Sequence, residues 1–139
     1  MNFRFSPEQN RMREKLRAFI FEYVGQEIRE DPMMGENLVD RKFSQEMGSL
    51  GWIGLDWPKE YGGAGLGPIE RLICNEEVIL NRAPVNYHLI AERQMGPSIM
   101  MFGNDEQKQF FLPSITKGEL GFAIGYSEPG TGSDLAGLQ

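Results

Sequence analysis

The sequence predicts a mainly α-helical domain that gives way, near its C-terminal end, to the start of a different pattern. Through residues 1–119 apolar side chains recur at three- and four-residue spacing, and the runs are punctuated by capping residues, glycine and proline. From Leu120 to Ser127 the pattern switches to a short continuous apolar run followed by a glycine-rich turn. With 139 residues, 40% hydrophobic and 11% aromatic, the chain has material for one modest core.

The elements follow in order. Ser6-Pro7-Glu8-Gln9 offers a capping serine, a proline at the first helical position and a glutamine to close a capping box, so a helix starts there. Met12, Leu16, Phe19, Ile20, Tyr23 and Val24 form its apolar face, and Asp31-Pro32 sets its far limit. Met33 to Val39 reads as a loop. A second helix runs from about Asp40 to Leu50, with Phe43, Met47 and Leu50 on one side and Gly51 as its stop. Trp52 to Gly67 is a long connection held by Trp52, Trp57 and Tyr61. A third helix begins near Pro68, carries Ile69, Leu72, Ile73, Glu76, Ile79 and Leu80, and ends at Ala83-Pro84. A fourth covers Val85 to Gln94, and Gly96-Pro97 interrupts or kinks it before Ile99 to Phe102. Asn104 to Gln107 is another capping box, opening a short helix that ends at Pro113.

Charge narrows the function. Fourteen basic residues against twenty acidic give a net charge of -6, which disfavours a polyanion, so no nucleic-acid partner is expected. The single cysteine, Cys74, excludes an intramolecular disulfide, and with one histidine, His88, there is no soft-ligand metal cluster, so no metal is expected. A reduced, cytoplasmic setting fits. No stretch approaches the roughly 20 apolar residues of a membrane helix, so no membrane span is expected. His88 has no paired carboxylate or nucleophile near it in sequence and reads as a surface or capping residue; Cys74 reads as a small buried apolar group. Gly62-Gly63-Ala64-Gly65-Leu66-Gly67 follows no strand and lacks both the Walker lysine and the Gly-x-Gly-x-x-Gly spacing, so it reads as a structural crossover.

The densest chemistry lies in Gly121 to Gln139. Phe122 to Tyr126 reads as a short buried strand, and Ser127-Glu128-Pro129-Gly130-Thr131-Gly132-Ser133-Asp134 as a turn whose glycines let backbone N–H groups converge on an anion. A lone strand leaves its ladder groups unpaired, so the chain reads as the front piece of a longer polypeptide.

This octet, after its apolar run, resembles the flavin-contacting signature of the acyl-CoA dehydrogenases. Three segments support the resemblance in the family's order: Gly54 to Gly65, Gly103 to Lys108, and Leu112-Pro113 leading to Lys117-Gly118-Glu119. The resemblance spans essentially the whole chain and implies an N-terminal helical bundle domain at 1–119, with 120–139 opening a truncated β-domain. It implies FAD as cofactor and an acyl-CoA substrate oxidised to the 2,3-enoyl-CoA. It also implies electron-transfer flavoprotein or a similar acceptor as partner, and a homo-oligomeric intact enzyme. Ile124, Tyr126 and Ser127 match positions along the flavin edge, with the Ser127 hydroxyl near N5. Ser133 matches the position between cofactor and coenzyme A arm, with Gly132 allowing close approach. The family shapes its acyl pocket on the helix at Val85 to Gln94, which makes Asn86, Tyr87, Ile90 and Gln94 candidate liners, although such spacing also suits plain core. Tyr126 departs from the smaller or aliphatic residue common there. The family's catalytic base belongs to its C-terminal domain, so no residue here is assigned that role and the chain is expected to be inactive alone. Two other readings stand beside this one: a related acyl-CoA oxidase or flavin monooxygenase, and a non-catalytic helical module pairing with a complementary subunit.

Overall fold

In the computed structural model, residues 4–25 and 39–138 are described. Helix α1 spans Pro7–Tyr23. Its capping box forms as the sequence dictates: Gln9 N–H donates to Ser6 Oγ at 3.2 Å, and Ser6 N–H to Gln9 Oε1 at 2.8 Å. The helix ends at Tyr23, ahead of the expected limit at Asp31-Pro32, which lies outside the described residues, as does most of the loop expected at Met33 to Val39. Helix α2, Arg41–Ser49, starts on Asp40, whose Oδ1 accepts from Phe43 N–H at 2.9 Å. Gly51 stops it with φ 72°, a left-handed conformation that suits glycine.

Helix α3 spans Pro68–Leu80. The sequence pattern points to the wrong face here: Ile73, Cys74, Glu77 and Val78 are buried, while Ile69, Leu72, Ile79 and Leu80 are exposed. The reason is Glu77, a fully buried carboxylate that hydropathy alone sends to the surface. Arg17 Nε and Nη2 donate to its two oxygens at 2.8 and 2.7 Å, Arg13 Nη1 at 3.1 Å, and Asn81 Nδ2 at 3.2 Å. This ionic cluster, in which both Glu77 oxygens are bonded, clasps α1 onto α3 and turns the helix so that the 73/74/77/78 stripe faces inward.

Helix α4, Asn86–Ile90, runs without a break through one π-helical turn, Ala91–Met95, into α5, Gly96–Phe102. The chain therefore stays helical through Gly96-Pro97, where the sequence pattern predicts an interruption or kink, and its irregularity is the wider π turn just before that pair. Pro97 comes just after that π turn, the point at which the continuous helix forgoes the bond that a proline cannot donate. Helix α6, Asp105–Thr116, opens on the Asn104–Gln107 capping box and runs through Pro113 rather than stopping there. Proline so near the end loses a single bond, and Lys117 N–H still donates to the Pro113 carbonyl at 3.1 Å.

Two cores result. Leu16, Ile20, Val24, Phe43, Met47, Ile53, Leu55, Cys74, Val78 and Ala83 pack α1, α2, α3 and the first part of the connection together. Trp57, Ala91, Leu112 and Ile115 form the second, which brings in Ile99, Met100, Leu120 and Phe122. Burying each large apolar side chain contributes about 1.5–3 kcal/mol. The connection is ordered by its rings as expected: Trp57 is 2% exposed and lies against Gly96, and a short 3-10 turn forms at Lys59–Tyr61.

The expected strand from Leu120 to Ser127 does not form. The segment carries no regular secondary structure and pairs with no ladder among the described residues. A strand needs a neighbour for its N–H and C=O groups, and none of the described elements supplies one. No helix of the described residues is long and apolar enough to cross a membrane.

Candidate functional site

The end of α3 and the start of α4 enclose a groove of about 320 Å³ lined by Val78, Ile79, Arg82, Ala83, Val85, Asn86 and Leu89. The chain makes this corner in three residues. Asn81 Nδ2 donates to the Glu77 carbonyl at 2.8 Å, Arg82 takes φ 53°, and Ala83 N–H donates back to the Val78 carbonyl at 2.8 Å. Pro84 then turns the chain into α4, and Val85 bridges Val39.

Of the helix positions singled out in the sequence, Asn86 lines this groove. Tyr87 leaves it: its hydroxyl donates to the Glu119 carbonyl at 3.0 Å, and its ring lies against Gly121. Ile90 is half-buried and Gln94 exposed, and neither borders the groove. Val85 and Leu89 were missed. On α4 the i, i+3, i+4 set that begins at Val85 is 85/88/89, and the polar look of His88 masks the apolar pair around it.

His88 is not a surface residue but 3% exposed, with Nδ1 at 2.8 Å from Ser44 Oγ. Ser44 Oγ donates its own proton to the Asp40 carbonyl at 3.0 Å, so Nδ1 carries the imidazole proton and donates to Ser44. Burial, with the charge of Arg93 adding to it, pushes the imidazole down to about 4. One turn on, Glu92 Oε1 accepts from Gly54 N–H at 2.9 Å, and burial holds its carboxyl above the usual range. These two bonds pin α4 and the π turn from behind while Asn86 and Leu89 face the groove. Cys74 is buried as expected; burial pushes its thiol up to about 12, which keeps it protonated and inert.

In the C-terminal segment, Glu128 and Thr131 exchange backbone bonds, with Glu128 N–H to Thr131 O at 2.9 Å and the reverse at 3.0 Å. Thr131 Oγ1 donates to the Gly137 carbonyl at 3.2 Å. Ile124 is half-buried; Tyr126, Ser127, Gly132 and Ser133 are exposed. At Gly125, Gly130 and Gly132 an added side-chain carbon would meet nothing within 4 Å, so the backbone is open to close approach. Free hydroxyl-bearing residues on an accessible, glycine-rich backbone suit a polar, phosphate-bearing cofactor.

The described fold is thus a helical domain with an apolar groove at one corner and a glycine-rich turn at its end. The chain belongs to the acyl-CoA dehydrogenase family: residues 6–119 match the acyl-CoA dehydrogenase N-terminal domain. It is 42% identical to the acyl-CoA dehydrogenase FadE26 of Mycobacterium tuberculosis over 100% of this chain and 36% of that protein. The solved Tcur3481-Tcur3483 steroid ACAD is 37% identical, with a TM-score of 0.84, over 99% of this chain and 36% of that one. An acyl-CoA dehydrogenase of Bacillus anthracis, solved complexed with FAD, is 31% identical, with a TM-score of 0.72, over 96% of this chain and 23% of that one. The chain thus spans about a third of the length of the curated relative FadE26.

Proposed function

We propose that this chain is the N-terminal part of an FAD-dependent acyl-CoA dehydrogenase that oxidises an acyl-CoA thioester to the 2,3-enoyl-CoA. The observation that carries the reading is the match of residues 6–119 to the acyl-CoA dehydrogenase N-terminal domain, and the apolar groove against α4, on the helix to which the resemblance assigns the acyl pocket, supports it. Residues 120–139 then begin the β-domain. Ile124, Tyr126, Ser127, Gly132 and Ser133 would hold the flavin, and their exposure and open backbone support this assignment. FAD, when bound, accepts the β-hydrogen as hydride. The chain's own part is to present the Ser127 hydroxyl as a donor near the flavin, to place Ser133 toward the coenzyme A arm, and to wall the acyl group with Val85, Asn86 and Leu89. The family resemblance puts the base that takes the α-proton in a C-terminal domain, so none of residues 1–139 is assigned that role.

The finer reading extends to partners. An electron-transfer flavoprotein or similar acceptor reoxidises the intact enzyme, which is a cytoplasmic oligomer, and the steroid ACAD relative supports a bulky acyl group. The test is an acceptor-linked assay on the intact polypeptide, with the product analysed by mass. Enoyl-CoA two mass units lighter than the substrate supports the reading; an unaltered thioester across short, long and steroid-derived acyl groups refutes it.

A further inference from the structure

Helix α4 is used on two sides. Val85, Asn86 and Leu89 border the groove, while Tyr87 meets the chain where it leaves α6 on its way to the glycine-rich turn. That exit is fixed at both polar groups of one residue. Glu119 N–H donates to the Ser114 carbonyl at 3.0 Å, and the Glu119 carbonyl accepts from the Tyr87 hydroxyl at 3.0 Å. Just ahead, Gly118 turns the chain with φ 68°, and a side-chain carbon there would strike the Ser44 carbonyl on α2.

Gly121 then passes against Tyr87 itself. A side-chain carbon at Gly121 would lie 2.6 Å from the Tyr87 carbonyl oxygen and 3.1 Å from Cε2 of its ring. The φ of Gly121 lies outside the left-handed region, so it is the close approach that calls for glycine. On either side Leu120 and Phe122 enter the second core, the Phe122 ring 6.1 Å from that of Phe111. Tyr87 is held in its turn: the Arg41 guanidinium of α2 lies over its ring at 6.0 Å, and its neighbour His88 is bonded to Ser44 on the same helix.

The Tyr87 hydroxyl is thus spent on a main-chain carbonyl, and what it fixes is the course of the segment that carries Ser127. Hydride transfer needs the reacting atoms about 3–3.5 Å apart, and a shift of about 1 Å imposed from outside the reacting groups can cost about 10²-fold in rate. A tie between the helix that borders the groove and the segment matched to the flavin therefore acts on that distance.

We infer that Tyr87 is a positioning residue, which through Glu119 and Gly121 sets the flavin-contacting segment at its working distance from the acyl group held against α4. This rests on the reading above that the groove takes the acyl group and that Ser127 meets the flavin.

The test uses the intact FAD-loaded enzyme, mixed anaerobically with whichever of a short, a long and a steroid-derived acyl-CoA reduces the wild-type flavin fastest, with rates taken per bound FAD. Tyr87→Phe keeps the ring on Gly121 and removes the bond to Glu119. It should lower the limiting rate of flavin reduction by about threefold or more, while the acyl-CoA concentration at half that rate moves less than about twofold. Gly121→Ala disturbs the same contact from the other side and should slow reduction by about tenfold or more. The double variant should be little slower than Gly121→Ala, because both substitutions break one contact. An unchanged limiting rate per bound FAD in Tyr87→Phe would overturn the inference, even if less of the protein loads, since the role would then be structural. So would single losses that multiply in the double variant, or a loss confined to acyl-CoA affinity, which would make Tyr87 a wall of the acyl site. Failure of all three thioesters to reduce the wild-type flavin would instead sink the acyl-CoA reading, and this inference with it.

Discussion

His88 Nδ1 and Ser44 Oγ lie 2.8 Å apart in a pocket that leaves both residues almost fully buried, and this bond ties α4 to α2 behind the groove. The imidazole is neutral there, pushed down to about 4 from an ordinary value of 6.5. A base with a depressed folded value binds its proton more readily in the unfolded chain, so its stabilising contribution is complete above pH 6.5 and fades as pH falls toward 4. Urea unfolding across that window should show a loss of roughly 3 kcal/mol attributable to His88. His88→Gln, which does not titrate, should flatten the slope; an unchanged slope would place the acid sensitivity elsewhere.

Glu92 predicts the opposite sign. Its carboxyl is held above the usual range by burial, so the charged form weighs against the folded state once pH rises past the carboxylate range. Glu92→Gln keeps an acceptor for Gly54 N–H and removes the charge. Its thermal midpoint at pH 7 should equal or exceed wild type, with the advantage gone at pH 4. A variant less stable than wild type at pH 7 would contradict this.

The Glu77 cluster should behave as a buried ionic site. Glu77→Ala takes from Arg17 both of its bonds to the carboxylate and from Arg13 one of two, Arg13 keeping Glu76 at 2.6 Å, and should cost about 3 kcal/mol in chemical denaturation. Arg17→Ala should cost clearly less, because its side chain is 52% solvent-accessible and Arg13 still serves the carboxylate. Equal losses in the two variants would mean that the packing of Arg17 matters more than its charge.

Gly96 lies so close to the Trp57 indole that any side-chain carbon there collides with the ring. Gly96→Ala should destabilise by about 1–3 kcal/mol, and Trp57→Phe in that background should recover part of the loss. Additive losses in the double variant would show that the two residues are not coupled.

Ser127→Ala in the intact enzyme should fold and retain FAD, since one hydroxyl is a small part of the cofactor's contacts. Flavin reduction should slow by roughly 1 to 3 kcal/mol in barrier while acyl-CoA affinity changes less. Ser133→Ala should show the reverse bias. An unchanged reduction rate in Ser127→Ala would leave its hydroxyl a structural role only.

Helix existence was legible because caps are local: Ser6 with Gln9, Asp40 with Phe43 and Asn104 with Gln107 form as their spacing requires. The α3 face was not, because the partners of Glu77 lie some sixty positions earlier on α1 and hydropathy cannot pair them. The same limit hid the partner of His88, Ser44 on α2, and the bond from the Tyr87 hydroxyl to the Glu119 carbonyl. The π turn has no local signature in the Ala91–Met95 residues, and the packing of Gly96 against Trp57 became visible only in three dimensions. The expected strand fails for a related reason, since a strand is defined by its neighbour. The Arg82 corner had no signal in the sequence, where Asn81-Arg82-Ala83 reads as an ordinary helix end.

The most direct measurement of the central claim is anaerobic rapid mixing of the intact, FAD-loaded enzyme with an acyl-CoA, following the flavin absorbance through one turnover. The account predicts bleaching of the oxidised flavin in step with formation of one 2,3-enoyl-CoA per active site. A flavin that stays oxidised under every acyl-CoA tried, while the protein remains folded and loaded, would contradict it.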